Sequence, residues 1–277
     1  MIYLNVEING NYGEDTFWTW FQREFPSSKF EIPTELKDED IVLRYSTLGF
    51  LPIIGKQVAL CWGLYPQIDN FFGTDMYDNI MQKVYETARY STYRIVTTKE
   101  SVKDYIRFGS VDIIPMGVDT NIFRPMNNKK ELKEKYNIPK NKRIGIWIGS
   151  YHPMKGFGEL LKYASENPDI YWIIIWELQQ EEIYMPNASN YFKISQTQIA
   201  ELINCADFFL STNKLSSYFM LEWEAMACDI PFVIIENSTR EFYPSANPRD
   251  DVFKRGWDRV SVKKLWEQFL IQRGVKW

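Results

Sequence analysis

The chain has 277 residues, enough for two modest domains or one large one. It is 45% hydrophobic, 25% charged and 16% aromatic, the make-up of a globular protein with rings to spare for a binding cleft. A net charge of −4 and an isoelectric point near 5.3 disfavour a nucleic-acid partner gripped through its phosphates.

In chain order, IYLNV (2–6) predicts a strand, NGNYGED a loop with Gly10 and Gly13, and TFWTWFQREF (16–25) a helix. Strands are expected at 40–45 and 57–62, a helix at 76–90, a strand at 93–98, a helix at 99–109 closed by Gly109, and a strand at 111–117. Residues 118–143 are polar and lysine-rich, the composition of a connector with one short helix, and mark a domain boundary. The alternation then restarts. Strands are expected at 144–149, 170–176, 191–195, 207–212 and 231–235, with helices at 156–167, 198–206 and 217–228. The tail, 260–274, is amphipathic and helical. Alternating strands and helices imply parallel sheets. The chain therefore reads as two α/β units, with a ligand cleft at the carboxyl ends of the strands.

No apolar run nears the roughly 20 residues of a membrane span. MIYLNVEING carries neither the basic start nor the cleavage site of a signal peptide. Cys61, Cys205 and Cys228 form neither a disulfide framework nor a zinc pattern, and the single histidine, His152, makes no metal cluster alone. A cytoplasmic protein is expected.

Three stretches could carry chemistry. In SSYFMLEWEAMACDIPFVI (216–234), Ser216 and Ser217 are placed to cap a helix whose free N–H groups suit a phosphate. Glu222 and Glu224 interrupt its apolar run, about 200° apart around the axis. Either one lies in solvent and the other near the apolar side formed by Phe219, Leu221, Met226 and Ala227, or both sit on the rims of the buried stripe. In IWIGSYHPMKGFGELL (146–161), a strand ends at Gly149 and Lys155 stands at a strand–helix turn, where an ammonium can reach a phosphate. DIIPMGVDTNIFRP (112–125) has the glycine and prolines of an interdomain hinge.

Together these stretches resemble glycosyltransferase family 4, the retaining nucleotide-sugar transferases of the GT-B architecture. The family pattern IPNGVD…F.P meets IPMGVDTNIFRP here, GRL…KG meets GSYHPMKG, and ADVFVLPS…EGFG….EAMACG.PVV meets ADFFLSTNKLSSYFMLEWEAMACDIPFVI. The match runs in order from about residue 95 to 235, while 1–94 and 236–277 fit only in pattern.

The resemblance implies two Rossmann-like, doubly wound domains facing across a cleft. An acceptor-side domain would span 1–117, a nucleotide-sugar domain 118–255, and a helix over 256–277 would cross back to the first domain. It places Lys155 on the donor pyrophosphate and Glu224, the second glutamate of E-x7-E, on the ribose hydroxyls. Gly149, Ser150, Ser216, Ser217, Tyr218 and Phe219 complete the donor site. Gly10, Gly13 and Trp62 fall on the acceptor side, and closure occurs about Gly117 and Asp119. The implied reaction is sugar transfer with retention to a hydroxyl-bearing acceptor, with no metal and no cofactor besides the nucleotide-sugar substrate. Lys155 and Ser216 are the candidate catalytic residues.

The chain departs from the family pattern in several places. Ser216 stands where the first glutamate belongs, Ser217 and Phe219 replace glycines, Ser150 replaces an arginine, and Cys61-Trp62-Gly63 occupies the neighbourhood of a common histidine. These departures support a second reading, a catalytically weak or inactive nucleotide-sugar or glycan binder. A metal-dependent transferase is a third, since Asp38-Glu39-Asp40 forms a D-x-D triplet, but it precedes a strand instead of following one.

Overall fold

The computed structural model describes residues 1–6, 12–62, 78–151, 153–177, 185, 187–216, 220–235, 239–240 and 243–277, without the side chains of 12–15, 215, 216, 239 and 240. The chain divides into two compact units, Met1–Met116 with Val260–Trp277, and Gly117–Arg259.

The first unit holds a six-stranded, wholly parallel sheet. Its strands are β1 (Ile2–Asn5), β2 (Ser28–Lys29), β3 (Ile41–Tyr45), β4 (Lys56–Leu60), β5 (Tyr93–Val96) and β6 (Val111–Ile113), in the order β2-β1-β3-β4-β5-β6. The helices are α1 (Tyr12–Glu24), α2 (Asp78–Tyr90) and α3 (Lys99–Tyr105). Thr98 caps α3 by accepting the Ser101 N–H. A 3-10 turn, Ile106–Phe108, replaces the expected last turn of that helix.

α1 begins four residues earlier than its apolar pattern suggests, so Gly13 lies in a helix and not in the loop expected for it. Phe17, Trp18 and Phe21 of α1 are almost wholly buried. The tail helix, Arg259–Gln272, contributes Trp266, whose ring meets Phe21 edge-on at 5.0 Å. Lys263 pairs with Glu24 at 2.9 Å and Arg273 with Asp112 at 2.7 Å. Asp40 accepts the Lys37 N–H at 3.0 Å at the amino end of β3. The D-x-D triplet thus closes a turn at the edge of the sheet opposite the carboxyl ends of its strands.

The second unit holds a five-stranded parallel sheet in the order β12-β10-β7-β8-β9. Its strands are β7 (Ile144–Gly149), β8 (Tyr171–Trp176), β9 (Ala188–Phe192), β10 (Phe208–Ser211) and β12 (Phe232–Ile234). A separate two-stranded ladder joins β11 (Leu215–Ser216) to β13 (Thr239–Arg240). The helices are α4 (Lys129–Lys135), α5 (Phe157–Glu166), α6 (Gln196–Cys205), α7 (Met220–Ala227) and α8 (Pro248–Lys254).

IGIWIG and YWIIIW are near-continuous apolar runs because helices cover both faces of this sheet. Ser195 and Gln198 form a capping box at the start of α6. β9 sits three residues earlier than expected. Lys193, at φ 51°, breaks the extended backbone, and the ladder with β8 runs from Ala188 to Phe192. Helix α8, which begins at Pro248, was not expected from periodicity. Among the described residues no helix is long and apolar enough to cross a membrane.

Candidate functional site

In the second sheet the strand order reverses between β7 and β10, the position where open α/β sheets bind ligands at the carboxyl edge. The sequence candidates meet there. β7 ends at Gly149, and Ser150 follows, buried. A Cβ on Gly149 would lie 2.7 Å from the Trp147 ring, so a side chain is excluded. His152 and residues 178–184 lie outside the described residues.

Lys155 ends a 3-10 turn, Pro153–Lys155, and Gly156 follows at φ +69°. That left-handed conformation lets the backbone approach β10 closely, since a Cβ on Gly156 would sit 2.1 Å from the Thr212 carbonyl oxygen. The Thr212 hydroxyl donates to the Lys155 carbonyl at 2.6 Å and accepts from the Trp147 indole at 2.8 Å. Lys214 N–H donates to the Met154 carbonyl at 2.8 Å. The lysine turn is thereby stitched to the segment that leads through β11 to Ser216.

The Lys155 ammonium, one-fifth exposed, pairs with both carboxylate oxygens of Glu177 at 3.0 Å. Glu177 directly follows β8, and its own N–H donates to the Gly149 carbonyl at 2.8 Å. Sequence reasoning missed Glu177. Its signal was a lone carboxylate directly after an apolar strand, at the edge where sites form.

The two glutamates of α7 do not divide between solvent and core. Both are buried, at 6% and 4% exposure. α7 lies among α6, α8 and β10, and six of its eight residues, 222 to 227, are buried. Glu222 accepts from the Ser211 hydroxyl and from the Asn213 amide, the latter at 3.1 Å. It ties α7 to the end of β10.

Glu224 lies on the other side of the helix. Burial pushes its carboxyl up to about 8, against the pull of the Arg259 guanidinium and with the Glu177 charge adding to the rise. Arg259 in turn pairs with Asp119 at 2.9 Å. Two ion pairs, Lys155 with Glu177 and Arg259 with Asp119, therefore flank a buried, protonated Glu224 whose carboxyl feels both Glu177 and Arg259. No pattern in the sequence linked Arg259 to this set.

Gly117, at φ +79°, and Asp119 lie where the chain comes into the unit. Val118 donates to the Trp257 carbonyl at 2.7 Å, and Arg259 N–H donates to the Val118 carbonyl at 3.0 Å. Ser216 lies in β11, and Ser217, Tyr218 and Phe219 lie outside the described residues. Gly10 lies outside them too. Trp62 stacks on Trp18 at 5.4 Å and meets Phe17 edge-on at 5.1 Å, within the first unit. Among the described residues no three His, Cys, Asp or Glu side chains gather as metal ligands.

No protein-family model matches the chain, and no curated protein matches its sequence. Solved structures do match by fold. Sucrose-phosphate synthase from Thermosynechococcus elongatus aligns with a TM-score of 0.62 at 14% identity, over 84% of this chain and 72% of that one. WaaG, a glycosyltransferase involved in lipopolysaccharide biosynthesis, aligns at 0.62 and 10% identity, over 98% and 91%. HepE from Anabaena, solved in complex with UDP-glucose, aligns at 0.57 and 12% identity, over 99% and 95%. With its two parallel sheets and flanking helices, the chain has the α/β fold of the GT-B glycosyltransferases.

Proposed function

We propose that the chain is a metal-independent glycosyltransferase, of the family 4 type, that moves a sugar with retention from a nucleoside-diphosphate sugar to an acceptor hydroxyl. The observation that carries this reading is the Lys155 ammonium, clamped at the switch point of the second sheet and held by the two oxygens of one carboxylate, Glu177, that a diphosphate would replace. A fold neighbour that binds UDP-glucose supports the same class of donor.

In the reaction, the bond between the sugar's anomeric carbon and the diphosphate oxygen breaks, and the acceptor oxygen bonds to that carbon. The acceptor proton passes to the departing diphosphate, so no side-chain base is required. Lys155 and the amides after Ser216 meet the charge that develops on the leaving group, the largest electrostatic contribution such a site can make. Glu224 takes the ribose hydroxyls, Gly149 lets the backbone approach the donor, and Ser150 and Ser216 line it. Gly10, Gly13 and Trp62 serve the acceptor in the first unit, and Gly117 and Asp119 are the pivot. Three buried, unpaired cysteines accord with a reducing cytoplasm.

Calorimetry with UDP and GDP tests the reading. Lys155→Ala removes a charge-assisted contact and should weaken binding by about 1.5–3 kcal/mol. Unchanged affinity would take Lys155 out of the site. A second reading, a nucleotide-sugar binder without transfer, is favoured by Ser216 in place of a glutamate and by the Glu177 carboxylate already on Lys155. Release of free sugar from UDP-glucose or GDP-mannose by the full chain separates the two, since an active transferase leaks to water and a binder does not.

A further inference from the structure

The first sheet has its own switch point, between β1 and β3. Asn5 ends β1, Arg44 is the penultimate residue of β3, and the two are partners across the parallel ladder. Partners in register project from the same face of a sheet. Each is 8% exposed.

Arg44 is oriented by its Nε and Nη2, which donate to the carbonyls of Gly49 and Leu48. Its Nη1 is buried and donates to nothing, and the same is true of the Nδ2 of Asn5, its partner in the ladder. The indole N–H of Trp62 is also buried without a partner, but its ring packs with Tyr45 and Trp18 on the opposite face of the sheet and takes no part here. Among the described residues no carboxylate pairs with Arg44.

Arg94 lies two strands away in the same row, through Ala59, and donates to the Ala88 and Ser91 carbonyls at the end of α2. Its role is complete within the fold. Arg44 instead keeps a desolvated charge and an idle nitrogen on the same face and at the same level of the sheet as the idle amide of Asn5. A fold gains nothing from such an arrangement, because unmatched buried donors and charges destabilise it. An entering anion would satisfy both nitrogens and neutralise the charge, as a guanidinium edge suits the paired oxygens of a carboxylate or phosphate.

We propose that Asn5 and Arg44 form an anion subsite at the carboxyl edge of the first sheet, and that the acceptor carries a carboxylate or phosphate group seated there. Naming that anion an acceptor group rests on the glycosyltransferase reading; the existence of the subsite does not.

The test uses the full chain carrying Lys155→Ala, so that the second sheet offers no competing ammonium. Inorganic phosphate and acetate are titrated in by calorimetry, and the tighter of the two identifies the kind of anion. Adding Asn5→Leu should weaken binding by roughly tenfold, the worth of one hydrogen bond to a charged group, while the urea midpoint holds or rises because the Nδ2 has no bond to lose. Adding Arg44→Met should abolish binding. Absence of binding for both anions in the Lys155→Ala chain, or equal affinity after Asn5→Leu, would overturn the subsite. UDP is titrated separately into the otherwise unaltered chain. Failure to bind UDP there would sink the donor reading and leave the anion result standing.

Discussion

Glu224→Gln separates the stability of the second unit from its binding chemistry. The Glu224 carboxyl is pushed from 4.5 up to about 8 when the chain folds. Between those values the folded protein keeps a proton that the unfolded chain has released. Stability contributed by this group is therefore full below about pH 4.5 and is lost as the pH rises towards 8. At about 1.36 kcal/mol per pH unit, the whole rise corresponds to about 5 kcal/mol, and the part between about pH 5.5 and 8 to about 3 kcal/mol. Glutamine has nearly the same shape and does not titrate. In urea melts at about pH 5.5 and about pH 8.5, the variant should gain about 3 kcal/mol on the parent between the two conditions. Taking the difference between the proteins cancels the titrating groups that do not interact with residue 224. The same variant should bind UDP more weakly but inorganic pyrophosphate equally well, since only UDP carries a ribose. A stability difference that does not change with pH would refute the buried, protonated carboxyl. Equal weakening of both ligands would refute the ribose contact.

Glu177→Gln frees the Lys155 ammonium and removes a charge that opposes Glu224, so UDP should bind roughly two- to fivefold more tightly by calorimetry, in line with a partly exposed ion pair; weaker binding would show that Glu177 orients the lysine instead of competing for it. Gly156→Ala forces a left-handed alanine against the Thr212 carbonyl and should cost about 2–4 kcal/mol in urea melts, with UDP affinity falling as well. Trp266→Ala empties a fully buried site in the first unit and should cost about 3–5 kcal/mol. Its UDP affinity, measured below the melt, should stay at the parent value, because the lysine site lies wholly in the other unit.

Both sheets were legible because buried parallel strands are written as apolar runs, as in IGIWIG and YWIIIW. Strands with one weak edge were less so. Ala188–Phe192 mixes asparagine and serine with aromatics, and its end is set by the left-handed Lys193, which no periodicity reveals. The lysine turn was legible through Gly149 and the Lys155-Gly156 pair. The fate of Glu222 and Glu224 was not. A helix with carboxylates on two sides reads as half exposed until the neighbours on every side are known. Here Ser211 and Asn213 receive one carboxylate, and burial itself keeps the other protonated. Glu177 and Arg259 come from distant parts of the chain, and only the folding of Gly117–Arg259 into one unit brings their charges to bear on Glu224.

One consequence concerns the order in which the molecule is made. The second unit is a single uninterrupted stretch, whereas the first needs Val260–Trp277 to complete its core around Trp266. Domains fold as units during synthesis. The second unit is therefore complete once Arg259 has been made, while the half synthesised earlier keeps apolar surface open until Val260–Trp277 joins it.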